Sequence, residues 1–452
     1  MFYYNGKKIR RVGFLGLGKS NLGVLSYLSR HHSFEYTVRA ASTTGLTNLS
    51  PKFSYFEKDA LANIDEDILF LSPSARRDIP EIENAKKRGV ILSSDTEFFF
   101  ENSSADIYAV TGSDGKSTTT YLTSRLLKSR YRSSVCCGNI GEAMTPHLDD
   151  EKNTAYTAEL SSFQLMYQKP KTKRCVITNV TKNHLNWHRD FNEYVDAKAH
   201  ILENSKERIF NFDCDISRNL AKSYDVFGVF SKTYTEEQLR GLVKAEIYVT
   251  IKDGYITCTK EKLLKIDKIK VGGDYNILNF MAAIAMAHGC FKKEDVTELA
   301  ENFGGLPHRC ELIGEYDGVK YYDSSIDSSP QRCAATLRSM RGRVIIIIGG
   351  RSKGLDFKEL LPILEERTKL VIFTGEVGEQ INDLISTKGC SLSTRSEYVK
   401  DFYEAVEYAV KNALPGDTVL LSPAATSFDC FANFEERGDA FKEHIKRLKS
   451  KG

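Results

Sequence analysis

At 452 residues, 41% hydrophobic and 27% charged, the chain has the balance of globular domains and the length for three of them. A formal net charge of +3 implies no nucleic-acid or membrane partner, and no apolar stretch reaches the length of a membrane span. Ten cysteines without a single Cys-x-x-Cys spacing read as reduced thiols of a cytoplasmic protein, not as a disulfide framework.

The first element is the strand–turn–helix RRVGFLGLGKSNLGVLSYLSR, Arg10 to Arg30. Its basic start mimics a leader peptide, but glycines break the apolar run, which reads as a first strand. Gly16-Leu17-Gly18 opens like a dinucleotide fingerprint and then fails it. Asn21 stands where a third glycine belongs, and Arg39 closes the second strand in place of an acid. NAD is therefore not expected, although the turn and helix start can hold another diphosphate.

The second strand–turn–helix, IYAVTGSDGKSTTTYLTSRLL from Ile107 to Leu127, carries a phosphate-loop signature with unusual spacing. Gly112 precedes Lys116 by four residues, whereas the common loop has six. Gly112, Ser113, Asp114, Gly115, Lys116, Ser117 and Thr118 would bring backbone N–H groups and one ammonium to an anion, with the Ser117 hydroxyl on Mg²⁺. A glycine-rich turn with a solvated lysine is the plainer alternative.

Downstream, CCGNIG (Cys136 to Gly141) follows a strand, and Glu159 ends another in TAELSSFQL, where a carboxylate suits Mg²⁺. His184 and His188 are four residues apart, a weak zinc pattern without a cysteine pair or an adjacent glutamate. FNEYVDAKAHILEN predicts a helix whose Lys198 reads, on physical grounds, as solvated. A third strand and turn, VIIIIGG (Val344 to Gly350), suits a parallel sheet covered on both faces. Turn-rich joins near 93–106 and 301–309 divide an α/β protein into segments 1–95, 96–304 and 305–452.

In order along the chain, TGSDGKSTTT, GNIG, ELSSFQL, NVT-x-NH, the AK of YVDAKAHI, DYNILN, GLPHRCE, GGRSKG and LLSPAATSFDCFANFEERGDAF resemble the Mur ligases, from Gly16 to Phe441. The short loop spacing is that family's own. The resemblance implies an N-terminal Rossmann-like domain, a central P-loop ATPase-like parallel sheet and a C-terminal Rossmann-like domain. It implies ATP-driven addition of D-glutamate to UDP-N-acetylmuramoyl-L-alanine through an acyl phosphate, by a cytoplasmic monomer with no nucleic-acid or membrane partner.

Site residues follow from the same resemblance. Lys116 and the loop amides would hold ATP phosphates, with Ser117 and Glu159 on one Mg²⁺ and His184 on a second. Lys198 matches a lysine that CO₂ converts to a metal-binding carbamate, which reverses its solvated reading. Asn279, Arg309 and Asp323 match nucleotide contacts, and Asn139 a position near the reacting carboxylate. Lys353, Ser427 and Phe434 match the D-glutamate site. Leu17, Gly18, Lys19 and Ser20, with Ser72 and Pro73, match the uridine diphosphate site.

Three departures stand out. Asp114 replaces a common asparagine, Ser325 a lysine, and Asp327 a threonine. The last two would remove a cation and add an anion close to an anionic substrate. Two alternatives therefore stay open: a Mur-type or folylpolyglutamate-type ligase for a different amino acid, and a catalytically silent precursor-binding protein.

Overall fold

A computed structural model describes residues 1–39, 53–56, 60–149, 152–182, 187–271, 274–351, 356–388, 395–427 and 430–450. It is an α/β protein with predominantly parallel sheets. The chain forms two compact units, one of residues 1–268 with 277–299 and one of 269–276 with 300–452. Among the described residues, no helix is long and apolar enough to cross a membrane.

The first unit opens with a small antiparallel hairpin, Phe2–Tyr4 with Lys7–Ile9. A five-stranded parallel sheet follows, in spatial order Phe53–Phe56, Glu35–Arg39, Arg11–Leu15, Ile68–Leu71, Ile91–Ser93. Alternation explains why Ile68–Leu71 is apolar throughout. Ile68 and Phe70 face one core with Val12, Phe14 and Leu28, while Leu69 and Leu71 face another with Ile82 and Ala85.

The same unit holds a nine-stranded sheet. Its site-bearing part runs Ser205–Asn211, Thr172–Ile177, Asp106–Thr111, Thr154–Glu159, Ser133–Gly138, all parallel. From Asp106–Thr111 the chain passes through the helix Lys116–Leu127 to the edge strand Ser133–Gly138, returns to Thr154–Glu159, then crosses to Thr172–Ile177 on the other side. The strand order thus reverses at Asp106–Thr111, and such a switch leaves a crevice at the carboxyl ends of the strands. Gly112 and Glu159 both stand there, Glu159 in register with Val110.

The helix Phe191–Glu203 begins at Asp190, whose side chain accepts from the Glu193 N–H at 2.9 Å, a cap worth about 1 kcal/mol. Tyr194, Ala197, Lys198 and Ile201 form its buried stripe at helical spacing. A lysine thus occupies a position where the period calls for an apolar side chain.

The second unit contains a six-stranded sheet with one antiparallel edge strand, Glu311–Tyr316. Val344–Gly349 lies within it, paired on both sides and buried at every residue, as the apolar run predicts. Ile346 and Ile348 pack with Leu364 and Phe373, and Ile345 and Ile347 with Phe402 and Val419. Each such isoleucine contributes about 1.5–3 kcal/mol by burial, so a charge at any of the four would break this layer.

Candidate active site

The turn between Asp106–Thr111 and Lys116–Leu127 is fixed from the neighbouring strand end. Asn179 accepts from the Ser113 N–H at 2.9 Å through its carbonyl, and from the Asp114 N–H at 2.9 Å through its side chain. Thr178 Oγ1 donates to the Asp114 carbonyl at 2.6 Å. Ser113 Oγ lies 2.9 Å from the Tyr194 hydroxyl and accepts from the Thr181 N–H at 2.9 Å. Both glycines are structural necessities. Gly112 has φ +152°, and a Cβ there would lie 1.9 Å from Thr178 Oγ1; Gly115 has φ +77°, with Asn279 Oδ1 2.3 Å from the corresponding position.

Gly115 caps the loop helix without a side chain, and the first turn has no acid. The cap residue thus supplies no side chain to its amide N–H groups, the arrangement that receives an anion. Lys116 folds back so that Nζ donates to the Ser113 carbonyl at 2.9 Å. Ser117 is buried, Thr118 is half-buried, and Asp114 is exposed with only its main chain pinned. Thr119, one turn into the helix, donates to Asn279 Oδ1 at 3.4 Å.

Glu159 is 2% exposed at the end of its strand. Its Oε1 accepts from Asn139 Nδ2 at 2.7 Å, but Oε2 is buried without a hydrogen-bond partner among the described residues. A buried carboxylate oxygen left this way costs free energy unless a cation completes it. An unmet buried carboxylate oxygen fits a hard oxygen-seeking cation such as Mg²⁺.

Lys198 is also 2% exposed. Its Nζ donates to the Gly112 carbonyl at 2.7 Å and lies 4.6 Å from the centre of the Tyr194 ring. Burial pushes this ammonium well below its ordinary range, Lys116 pushes it the same way, and Glu159 and Asp114 oppose them. The amine is thereby disposed to be neutral, the nucleophilic form. Gly112–Ser117, Asn139, Glu159, Lys198 and Asn279 thus form one constellation. His184 lies outside the described residues. His188 is buried, with Nε2 2.9 Å from Ser162 Oγ and Nδ1 3.4 Å from Glu193.

At the five-stranded sheet, Leu17 to Ser20 and Ser72–Pro73 meet at the strand ends, where Ser72 Oγ donates to the Leu15 carbonyl at 3.0 Å. Gly18 caps the helix Lys19–His31 with no side chain. Lys19 Nζ donates to the Gly141 carbonyl of the loop that carries Asn139. Asn21 explains the failed fingerprint: its Nδ2 donates to the carbonyls of Gly16 at 2.6 Å and of Leu15 and Phe70 at 3.3 Å. Arg39 is buried in an ion pair with Glu66 at 2.7 Å.

In the second unit, Asp323 is fully buried, accepting from the Ser325 N–H and from His308 Nδ1, each at 2.8 Å. Arg309 follows His308 and is half-buried; the His308 ring meets Phe434 edge-on at 6.0 Å. His308, Glu311 and Asp323 bring possible metal-ligand atoms within 4.8 Å of one another, but Lys442 Nζ already stands 2.7 Å from Glu311. Ser427 is buried, and Lys353 lies outside the described residues.

Asp327 does not present an anion to solvent. It is buried, Oδ2 accepts from Ser422 Oγ at 2.7 Å, and burial raises its pKa against hydrogen bonds from Thr336, Ser422 and Ser324. Ser325 accepts from Arg437 Nε at 2.9 Å, so a buried guanidinium stands beside the position where the motif expects a lysine. Sequence reasoning assigned no role to Tyr194, Thr178 or Asn179, which hold the loop. The NVT string starts at Asn179 and leaves out Thr178, and only the strand pairing puts the two beside Gly112.

A family model described as the Mur ligase middle domain matches residues 110–287, and one described as the Mur ligase, glutamate ligase domain matches 308–425. The chain is 35% identical to a UDP-N-acetylmuramoylalanine–D-glutamate ligase of Ruminiclostridium cellulolyticum and 36% identical to one of Acetivibrio thermocellus, covering 98% of this chain and 97% of each relative. The fold matches a UDP-N-acetylmuramate–alanine ligase of Thermotoga maritima with TM-score 0.58 at 19% identity, over 98% of this chain and all of that one. A pseudomurein peptide ligase of Methanothermus fervidus matches with TM-score 0.56 at 18% identity, over 97% and 100%.

Proposed function

The chain belongs to the Mur ligase family, and from that premise we propose its reaction: ATP-dependent amide formation between the alanyl carboxylate of UDP-N-acetylmuramoyl-L-alanine and the amine of D-glutamate. This is a step in making peptidoglycan precursors, here assigned to a cytoplasmic monomer. The observation that carries it is the buried, half-satisfied Glu159 beside an uncapped loop helix and a buried Lys198.

A carboxylate resists amines until one oxygen becomes a leaving group. In the proposed course, an alanyl carboxylate oxygen attacks the γ-phosphorus of ATP and ADP departs. The D-glutamate amine then attacks the acyl phosphate, and inorganic phosphate leaves from the tetrahedral intermediate with loss of a proton. Two anions must meet in line, so the chain's work is positioning and charge neutralisation. Lys116 and the first-turn amides hold phosphate oxygens, and Asn139 steadies both Glu159 and the substrate carboxylate. Ser117 and Glu159 would hold one Mg²⁺, with a carbamate of Lys198 and His184 serving a second. Bound Mg²⁺ supplies neutralisation of phosphate charge. Burial of Lys198 favours the carbamate, because only a neutral amine adds CO₂, releasing one proton.

We assign residues 1–95 to the UDP-sugar, with Leu17–Ser20, Ser72 and Pro73 as contacts, residues 96–304 to ATP, and 305–452 to the amino acid. Asn279, Arg309 and Asp323 serve the nucleotide, and Lys353, Ser427 and Phe434 serve D-glutamate. The burial of Asp327 on Ser422 supports D-glutamate, since no added carboxylate repels it from that position. The test is phosphate release from ATP with UDP-N-acetylmuramoyl-L-alanine and a panel of D- and L-amino acids. Release with D-glutamate is expected; release with an L-amino acid or meso-diaminopimelate, and none with D-glutamate, would sink the proposal.

A further inference from the structure

Four residues beyond Ser72, Arg76 uses every donor of its guanidinium. Nε and Nη2 donate to the two carboxylate oxygens of Asp78 at 2.8 and 2.7 Å, and Nη1 donates to the Trp187 carbonyl at 2.8 Å. Nη1 and Nη2 also reach the two oxygens of Glu193 at 3.3 and 3.2 Å. The guanidinium carbon lies 4.9 Å from the centre of the Trp187 ring, whose Nε1 donates to the Ser74 carbonyl at 2.9 Å. A guanidinium with five satisfied donors and one stacked face is held in a single geometry.

Glu193 belongs to the first turn of the helix Phe191–Glu203. The next residue, Tyr194, meets Ser113 Oγ at 2.9 Å, and Lys198 donates to the Gly112 carbonyl. One rigid element therefore touches Arg76 through Glu193 and the phosphate loop through Tyr194 and Lys198. A helix shifts as a body, so any displacement of the Ser72–Asp78 segment is carried to Ser113 and Gly112. Nothing in the chemistry of ligation requires Arg76, which touches neither the loop nor Glu159 in this structure. We propose that Arg76 is a positioning residue that couples the sugar-nucleotide loop to the ATP loop, so that filling one site tightens the other. The inference rests on the reading of Ser72 and Pro73 as part of the UDP-sugar site.

The chain has one tryptophan, so Trp187 reports directly on the clamp. With full-length protein, UDP-N-acetylmuramoyl-L-alanine should change Trp187 emission. It should also lower the Kd of β,γ-imido-ATP with Mg²⁺ by about five-fold or more. In Arg76→Met that coupling should fall to within about two-fold of none, while each ligand alone binds within about two-fold of wild type. Arg76→Lys keeps the charge but not the paired geometry, and should lose the coupling too. Glu193→Gln, which weakens the helix side of the clamp, serves as a second variant should Arg76→Met fail to fold. In all three, KM for ATP at saturating UDP-sugar should rise while kcat and KM for D-glutamate hold, a split that general loosening would not give. Wild-type protein without coupling, or a folded Arg76 variant that retains it, overturns the inference. If the UDP-sugar binds and turnover proceeds without coupling, this inference alone falls; if neither binding nor turnover occurs, the proposed reaction falls with it.

Discussion

Gly112→Ala tests whether the loop is shaped by its neighbours or by its own glycines. A Cβ at Gly112 would stand 1.9 Å from Thr178 Oγ1 and 3.1 Å from both Thr178 Cβ and the Asn179 carbonyl oxygen, at φ +152°. The Thr178 hydroxyl must move by more than 1 Å to reach an ordinary carbon–oxygen contact, an overpacking that costs about 1–3 kcal/mol. The disfavoured backbone conformation adds about 1–2 kcal/mol. Rotating Thr178 away breaks its 2.6 Å bond to the Asp114 carbonyl, a further ~1 kcal/mol. The expected destabilisation is therefore about 3–6 kcal/mol in urea unfolding. A loop displaced by ~1 Å should also lose about 100-fold in turnover. Thr178→Ala in the same chain removes the 1.9 Å contact but leaves the backbone strain, so the double variant should regain at least ~1 kcal/mol over Gly112→Ala alone. A Gly112→Ala protein with wild-type stability and turnover, or a double variant that regains nothing, would refute the reasoning.

Glu159→Gln removes a buried carboxylate with one orphan oxygen; turnover should fall at least ~100-fold while stability holds or rises by about 1 kcal/mol. Phosphate release and urea midpoints check both, and wild-type turnover would count against Glu159 in the reaction. Asp327→Asn should leave KM for D-glutamate within about two-fold of wild type, because the group it alters is buried on Ser422; a large rise would show that Asp327 acts on the substrate. For Lys198, the folded pKa lies below the ordinary 10.5, so the unfolded chain binds a proton that the native state does not across the interval between them. Native stability thus rises with pH through that interval. In bicarbonate-free buffer Lys198→Met should be more stable than wild type below it, with the gain shrinking toward pH 10.5; a gain that grows with pH would contradict the burial argument.

The layers were legible from residues alone because parallel strands buried on both faces leave continuous apolar runs, as in Val344–Ile348. The loop glycines were legible too, but not their reasons, since Thr178 and Asn279 reach Gly112 and Gly115 only through strand pairing and helix packing. Lys198 could have been suspected without any family resemblance, because it falls on the stripe of Tyr194, Ala197 and Ile201. Asn21 looked like a missing glycine, yet its amide serves three carbonyls. Asp327 looked like a charge in the site, and only tertiary packing turned it toward Ser422. Arg76 gave no signal, since its partners at Trp187 and Glu193 lie more than a hundred residues away.

The contact between Thr119 and Asn279, 160 residues apart, also sets a clock for the nascent chain. At about 5–20 residues per second the ribosome needs roughly 8–30 s to bring Asn279 out after the loop. Until then the strand Asp106–Thr111 can pair with its neighbours, but Gly115 and the helix start lack the surface that closes over them. A ligand of the loop stabilises the first unit by mass action, and it meets the loop's full surroundings only after residue 279 has emerged.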